Sequence, residues 1–195
     1  QFGSIYASAT LLSSFVLIWV GKKIDDINIS KFAFFVILLL SFSSFFFSTI
    51  SSLSLLFIAI FLMRFSGQGM MSHTATTTVS RYFTKSRGKA LSTIWFGLST
   101  AEFILPVFII FLLSLYDWKI IWISISLLVL LILPITSFIL VKHLNFNSRE
   151  TIQKKGSKNL NIKNWKRIEV IKDYRFYIIC ANMLAMPWIA TGTFV

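Results

Sequence analysis

Six stretches of this chain are apolar enough, and about long enough, to cross a lipid bilayer. A span needs roughly 20 residues, from about 30 Å of hydrocarbon at about 1.5 Å per residue. The stretches run approximately over 2–20, 32–50, 54–80, 90–114, 119–141 and 176–195. In hydrocarbon each backbone N–H and C=O must be paired within its own segment, so every stretch is expected to be a helix. The expected fold class is therefore all-α, a polytopic transmembrane helix bundle. Composition excludes the soluble alternative. Only 13% of residues are charged and 56% are hydrophobic, where soluble domains carry about 25% charged residues. The third stretch is longer than a bilayer is thick, so its polar C-terminal end should protrude.

Lys and Arg set the topology, because they collect in cytoplasmic loops. The 21–31 loop holds Lys22, Lys23 and Lys31, and the 81–89 loop holds Arg81, Lys85, Arg87 and Lys89. The segment 142–175 holds ten basic residues against Glu150, Glu169 and Asp173. The alternate loops, near 50–53 and 115–118, contain none. Seventeen of the nineteen basic residues thus lie on one side, with Arg64 and Lys119 as exceptions. That side is expected to be cytoplasmic, which places the protein in the cell (inner) membrane. The net charge of +12 then belongs to the inner membrane surface and its anionic lipid rather than to nucleic acid.

Two of the exceptions to apolarity lie deep. Arg64 is about ten residues into its stretch from the outside, and Glu102 about twelve residues into its own from the inside. At about 1.5 Å per residue both reach roughly the midplane. A charge there costs at least about 2.5–3.5 kcal/mol and marks a water-filled path or a bundle interior. Two readings stay open. Arg64 and Glu102 meet a solute, with Glu102 as carrier of a coupling proton, or they form a fixed ion pair between two helices. Gln68 lies one turn from Arg64 and Ser72 one turn further, so the three share a face. His73 sits nearer the cytoplasm, where an ordinary polar contact is expected. Gly67, Gly69 and Gly97 are expected to let helices approach closely, and Pro106 and Pro187 to kink theirs.

The stretches 33–47 and 120–141 carry no ionised residue and are rich in Phe, Ile and Leu. Lipid contact is their expected role. Within 142–175, the portion from Asn164 to Tyr177 spaces Trp165, Ile168 and Ile171 at helical intervals. It reads either as an amphipathic helix on the membrane surface or as a solvated connector.

Gly21-Lys22-Lys23-Ile24-Asp25, followed by Lys31, resembles the loop between helices 2 and 3 of the major facilitator superfamily. Gly21, Asp25 and Lys31 match that pattern. Asp26 stands where the family usually has Arg, and Asn28 where it usually has Gly. Arg81-Tyr82-Phe83 with Ser86-Arg87-Gly88-Lys89-Ala90 looks like the loop between family helices 4 and 5. Trp165 to Phe176, followed by Pro187, Thr191 and Gly192, looks like the approach to helix 7. On this resemblance the chain covers helices 2 to 7 of twelve, a fragment of a longer protein. Residues 1–141 would be the N-terminal half bundle without its first helix. Residues 142–175 would be the basic central loop, and 176–195 the start of the C-terminal half. The resemblance implies that helix 4 lines a central cavity. Arg64, Gln68, Ser72 and Glu102 then become solute-binding candidates, and Gly21, Asp25, Lys31, Arg87 and Gly88 conformational ones. It also suggests the monocarboxylate-type branch.

The leading expectation is a secondary transporter that moves a small solute by alternating access. An organic anion is favoured because Arg64 is the midplane cation. The alternative is a non-transporting membrane sensor or scaffold on the same helices. An enzyme is disfavoured. The chain has two histidines, His73 and His143, and one cysteine, Cys180, too few for a metal or acyl-transfer cluster. No metal or other cofactor is expected, and no phosphate-binding Gly-x-x-x-x-Gly-Lys-Ser/Thr loop occurs. The expected partners are the solute, a coupling proton and membrane lipid, without nucleic acid.

Overall fold

Among the described residues, five helical spans are long and apolar enough to cross a membrane: Phe2–Asp25, Ile29–Ser48, Leu53–Tyr82, Arg87–Leu115 and Trp118–Ile139. The structure, a computed structural model, describes residues 2–83, 86–144 and 167–183. The first span is α1 (Phe2–Val20), which tightens into a 3-10 turn over Gly21–Asp25. The second is α2 (Ile29–Ser48). The third is α3 (Leu53–Met63), a π-helical segment over Arg64–Met71, and α4 (Ser72–Tyr82) without a break. Then come α5 (Arg87–Leu115) and α6 (Trp118–Leu144). The short α7 (Arg167–Lys172) is followed by helical residues 174–183. Gln1–Thr151 and Ile152–Val195 form two separately compact units. The expected sixth span, 176–195, and Pro187 extend beyond the described residues.

Local chemistry fixes the helix starts. The Asn28 side chain accepts the Ser30 backbone N–H at 2.9 Å and caps α2, satisfying a donor that the first turn leaves unpaired. Ser52 caps α3 by accepting from Leu55, and Asp117 Oδ1 accepts the Lys119 N–H at 2.8 Å at the start of α6. Inside the helices, hydroxyls turn back on carbonyls three or four residues earlier, as Thr10 does to Tyr6 at 2.7 Å and Ser43 to Leu39 at 2.6 Å. That local bond lets Ser and Thr sit in an apolar medium. Both α5 and α6 run on as helix through an internal proline, Pro106 and Pro134.

The second span departs from the lipid-facing role expected of 33–47. It is the centre of the first unit, packing against α3, the π segment, α4 and, most extensively, α6. Its outward face carries Phe34, Phe35, Leu38, Phe42 and Phe45, all exposed. Its inward face carries Val36, Ile37, Ser41, Ser43, Ser44 and Ser48, all buried. The serines explain the difference. Lipid tails are as apolar as Phe, so helices in a membrane associate through small residues and hydrogen bonds. Ser41 and Ser126 each donate to the other's backbone carbonyl, at 3.0 and 2.8 Å, and so join α2 to α6. Phe47 packs on Trp122 beside them, with centroids 4.4 Å apart. Ser66 Oγ donates to Ser43 Oγ at 3.1 Å and ties the π segment to α2. Ile24, Phe32, Val36, Phe65 and Met70 form the apolar core, with Val16 and Leu17 of α1 against it.

Candidate functional site

The π-helical segment Arg64–Met71 is the departure from regular helix nearest the expected midplane. In a π-helix the backbone bonds reach five residues rather than four, so each turn holds more chain. Such segments concentrate at functional sites. Two glycines fall inside it, and both serve close approach. A Cβ at Gly69 would lie 3.3 Å from Leu17 Cδ2 and 3.4 Å from the Arg64 carbonyl oxygen. A Cβ at Gly67 would lie 3.4 Å from Leu40 Cδ1. The segment is therefore wedged between α1 and α2. Gly97 differs, since nothing lies within 4 Å of a Cβ placed there.

Arg64 opens the π segment and is half-buried. Its Nη1 donates to Gln68 Oε1, so the two share a face as the spacing predicts. Its guanidinium carbon also lies 4.4 Å from the centroid of the Tyr6 ring on α1. A cation over an aromatic face gains electrostatic energy from the ring quadrupole, the more so where water is excluded. Phe2 continues the aromatic surface toward the start of α1, its ring centroid 6.2 Å from that of Tyr6. Gln68 is exposed and Ser72 half-buried. The Ser72 carbonyl accepts from Thr76 Oγ1 at 2.8 Å.

The fixed ion pair between Arg64 and Glu102 is not formed. Among the described residues the ion pair within 4.0 Å is that of Arg81 with Asp25, and the Glu102 side chain is exposed. The reason is in the packing. The helix that carries Glu102, α5, has no buried residue and makes its main contacts with α4 and α6. Arg64 is turned instead toward α1. Similar depth along two helices does not place two side chains on facing surfaces.

The basic end of the bundle is organised around the 3-10 turn. Gly21 is buried, and a Cβ there would sit 3.5 Å from the His73 ring. His73 Nε2 is 3.1 Å from the Gly21 carbonyl oxygen, a polar contact that fastens α4 to the turn. Arg81 Nη2 donates to Asp25 Oδ1 at 2.5 Å, and Nη1 reaches the Ile24 carbonyl. The first loop is thus clamped to the end of α4. Lys31, Arg87 and Gly88 are exposed and stand outside this clamp. Asn28, at φ −58° and ψ 128°, is a helix cap and does not use left-handed backbone.

Sequence inspection missed Tyr6, the π segment and the contact of His73 with Gly21. Tyr6 gave a weak signal, as a polar-tipped aromatic among apolar residues. Among the described residues no three His, Cys, Asp or Glu side chains gather as a metal site. No curated protein and no solved structure matches this chain. A sequence model described as the Major Facilitator Superfamily matches residues 1–195. Apolar spans in this number, a clamped basic loop and a deep arginine fit that match, and the chain belongs to the Major Facilitator Superfamily, a family of membrane transporters.

Proposed function

We propose that the protein is a secondary transporter that moves a small organic anion across the membrane by alternating access. One observation carries this. A guanidinium inside a membrane span is held by a tyrosine face and a glutamine oxygen, and among the described residues no carboxylate neutralises it. An intramembrane cation without a fixed counter-ion is costly unless an anion or water meets it. The planar fork of Arg suits a carboxylate, which it can bind through two parallel N–H bonds. Gln68 extends the same face, Ser72 is assigned to the solute as well, and monocarboxylates are the first solutes to test. Glu102 is assigned the coupling proton. The loops 21–31 and 81–89 and the segment 142–175 are assigned to the cytoplasmic side of the cell membrane.

The test is uptake of labelled monocarboxylates into proteoliposomes containing the full chain. Arg64→Gln is expected to abolish anion uptake, and Arg64→Lys to retain part of it. Uptake that is indifferent to the Arg64→Gln change overturns the anion assignment. Uptake that is indifferent to an imposed pH gradient overturns the coupling. A complete protein that folds and inserts but moves no solute supports the sensor or scaffold alternative.

A further inference from the structure

We propose that the crevice between the end of α4 and the start of α5 binds one anionic phospholipid at the membrane surface. The crevice has a volume of about 430 Å³, and Val79, Phe83, Ser86, Lys89, Thr93 and Ile94 line it. That is far more than the roughly 30 Å³ share of one water.

Its polarity changes along the direction in which the helices run. The mouth lies at the helix ends, where Ser86 and Lys89 stand, both exposed. Ser86 does not use its hydroxyl to cap α5. One to two turns along the helices from that end the lining residues include Val79 and Ile94, with the exposed Thr93 beside them. A phosphate outside and acyl carbons inside is the polarity of a phospholipid lying along a span. A free solute would have no use for the apolar floor, and a purely apolar occupant would leave the lysine unmatched.

Charge selects the class of headgroup. Among the described residues no carboxylate lines the crevice. The nearby Arg81 is engaged by Asp25, whereas among the described residues Lys89 has no ion-pair partner. Arg87 adds a second exposed cation in the same first turn of α5. A Lys beside an anionic membrane surface contributes about fivefold in affinity, the equivalent of about 1 kcal/mol. Phe83, 41% exposed at the C-terminus of α4, adds apolar ring surface beside Ser86 and Lys89. The occupant is therefore a phospholipid with net negative charge, its phosphate on Lys89 and its first acyl carbons along Ile94. The assignment needs only that this loop meet a membrane surface, and it stands apart from which solute is carried.

The experiment is native mass spectrometry of the full chain in uncharged detergent, titrated with phosphatidylglycerol or phosphatidylcholine. Phosphatidylglycerol is expected to bind at least severalfold more tightly. Lys89→Gln should weaken phosphatidylglycerol binding about fivefold, and Lys22→Gln, on the other loop, should leave it unchanged. Ile94→Trp should fill the crevice and reduce binding of both lipids. Circular dichroism checks the helicity of each variant. Should Ile94→Trp fail to fold, the exposed Lys89→Gln and Lys22→Gln pair decides. Equal binding of the two lipids, or phosphatidylglycerol binding that Lys89→Gln leaves intact, overturns the proposal. So does full displacement by equimolar glycerol phosphate, which would make free phosphate the ligand. No transport is measured, so absence of uptake leaves this result untouched.

Discussion

Tyr6 of α1 presents the face of its ring to the guanidinium of Arg64, 4.4 Å from centroid to carbon. This contact carries a deep positive charge across to a neighbouring helix without a carboxylate. It predicts that Tyr6→Phe is tolerated and Tyr6→Ala is not. A cation–π contact is worth about 0.5–2 kcal/mol, depending on desolvation. Thermal unfolding in detergent should show Tyr6→Ala destabilised within that range and Tyr6→Phe close to the parent. Equal losses for the two would show that the hydroxyl, and not the ring, matters.

Arg64 and Glu102 should behave as independent positions in stability. They form no ion pair, and α5 packs mainly on α4 and α6. Arg64→Ala, Glu102→Ala and the double variant are expected to be additive to within about 0.5 kcal/mol. A coupling well above that in chemical unfolding would mean that the two side chains meet in another conformation of the protein.

The glycines separate into two kinds. At Gly69 a Cβ would press on Leu17 and the Arg64 carbonyl. Gly69→Val should therefore cost about 1–3 kcal/mol through overpacking. At Gly97 there is open space, so Gly97→Ala should be neutral or stabilise by up to about 1 kcal/mol through helix propensity. Melting temperatures of the two variants, measured side by side, check the contrast.

The clamp at the basic end should be modest and sensitive to salt. Asp25 is 65% exposed in its pair with Arg81, and exposed pairs contribute about 0–1 kcal/mol. Asp25→Asn is expected to lower stability by no more than that, with the difference shrinking as ionic strength rises. A loss that is larger and persists at high salt would mean that the carboxylate also fixes the Arg81 side chain on the Ile24 carbonyl.

The spans were legible in the sequence because hydrocarbon leaves the backbone no choice but helix, and the runs over 2–20 and 32–50 are long and uninterrupted. Arg64 was legible because a charge among Leu, Ile and Phe is conspicuous, and so was Gln68 one turn along the same helix. The aromatic partner of Arg64 was not. Tyr6 lies on another helix, and no periodicity links two segments that meet only in space. The ion-pair reading of Arg64 with Glu102 failed for the same reason, since depth is a one-dimensional quantity and pairing is three-dimensional. The segment 33–47 misled through composition. Its phenylalanines are conspicuous, and its serines, which bury one face of α2, act as glue that composition does not reveal. The partner of His73 was hidden as well, because the 3-10 turn that supplies the Gly21 carbonyl gives no clear pattern.

The surplus chain held between Met63 and Ser72 has a consequence for anyone placing substitutions on the third span. A helical wheel drawn at a constant angle from Leu53 to Tyr82 falls out of phase halfway. Positions that would look in one direction above the wide turns look in another below them. Mutational scans of this rod should be indexed separately from each end, or a neutral result in its C-terminal half will be credited to the wrong side.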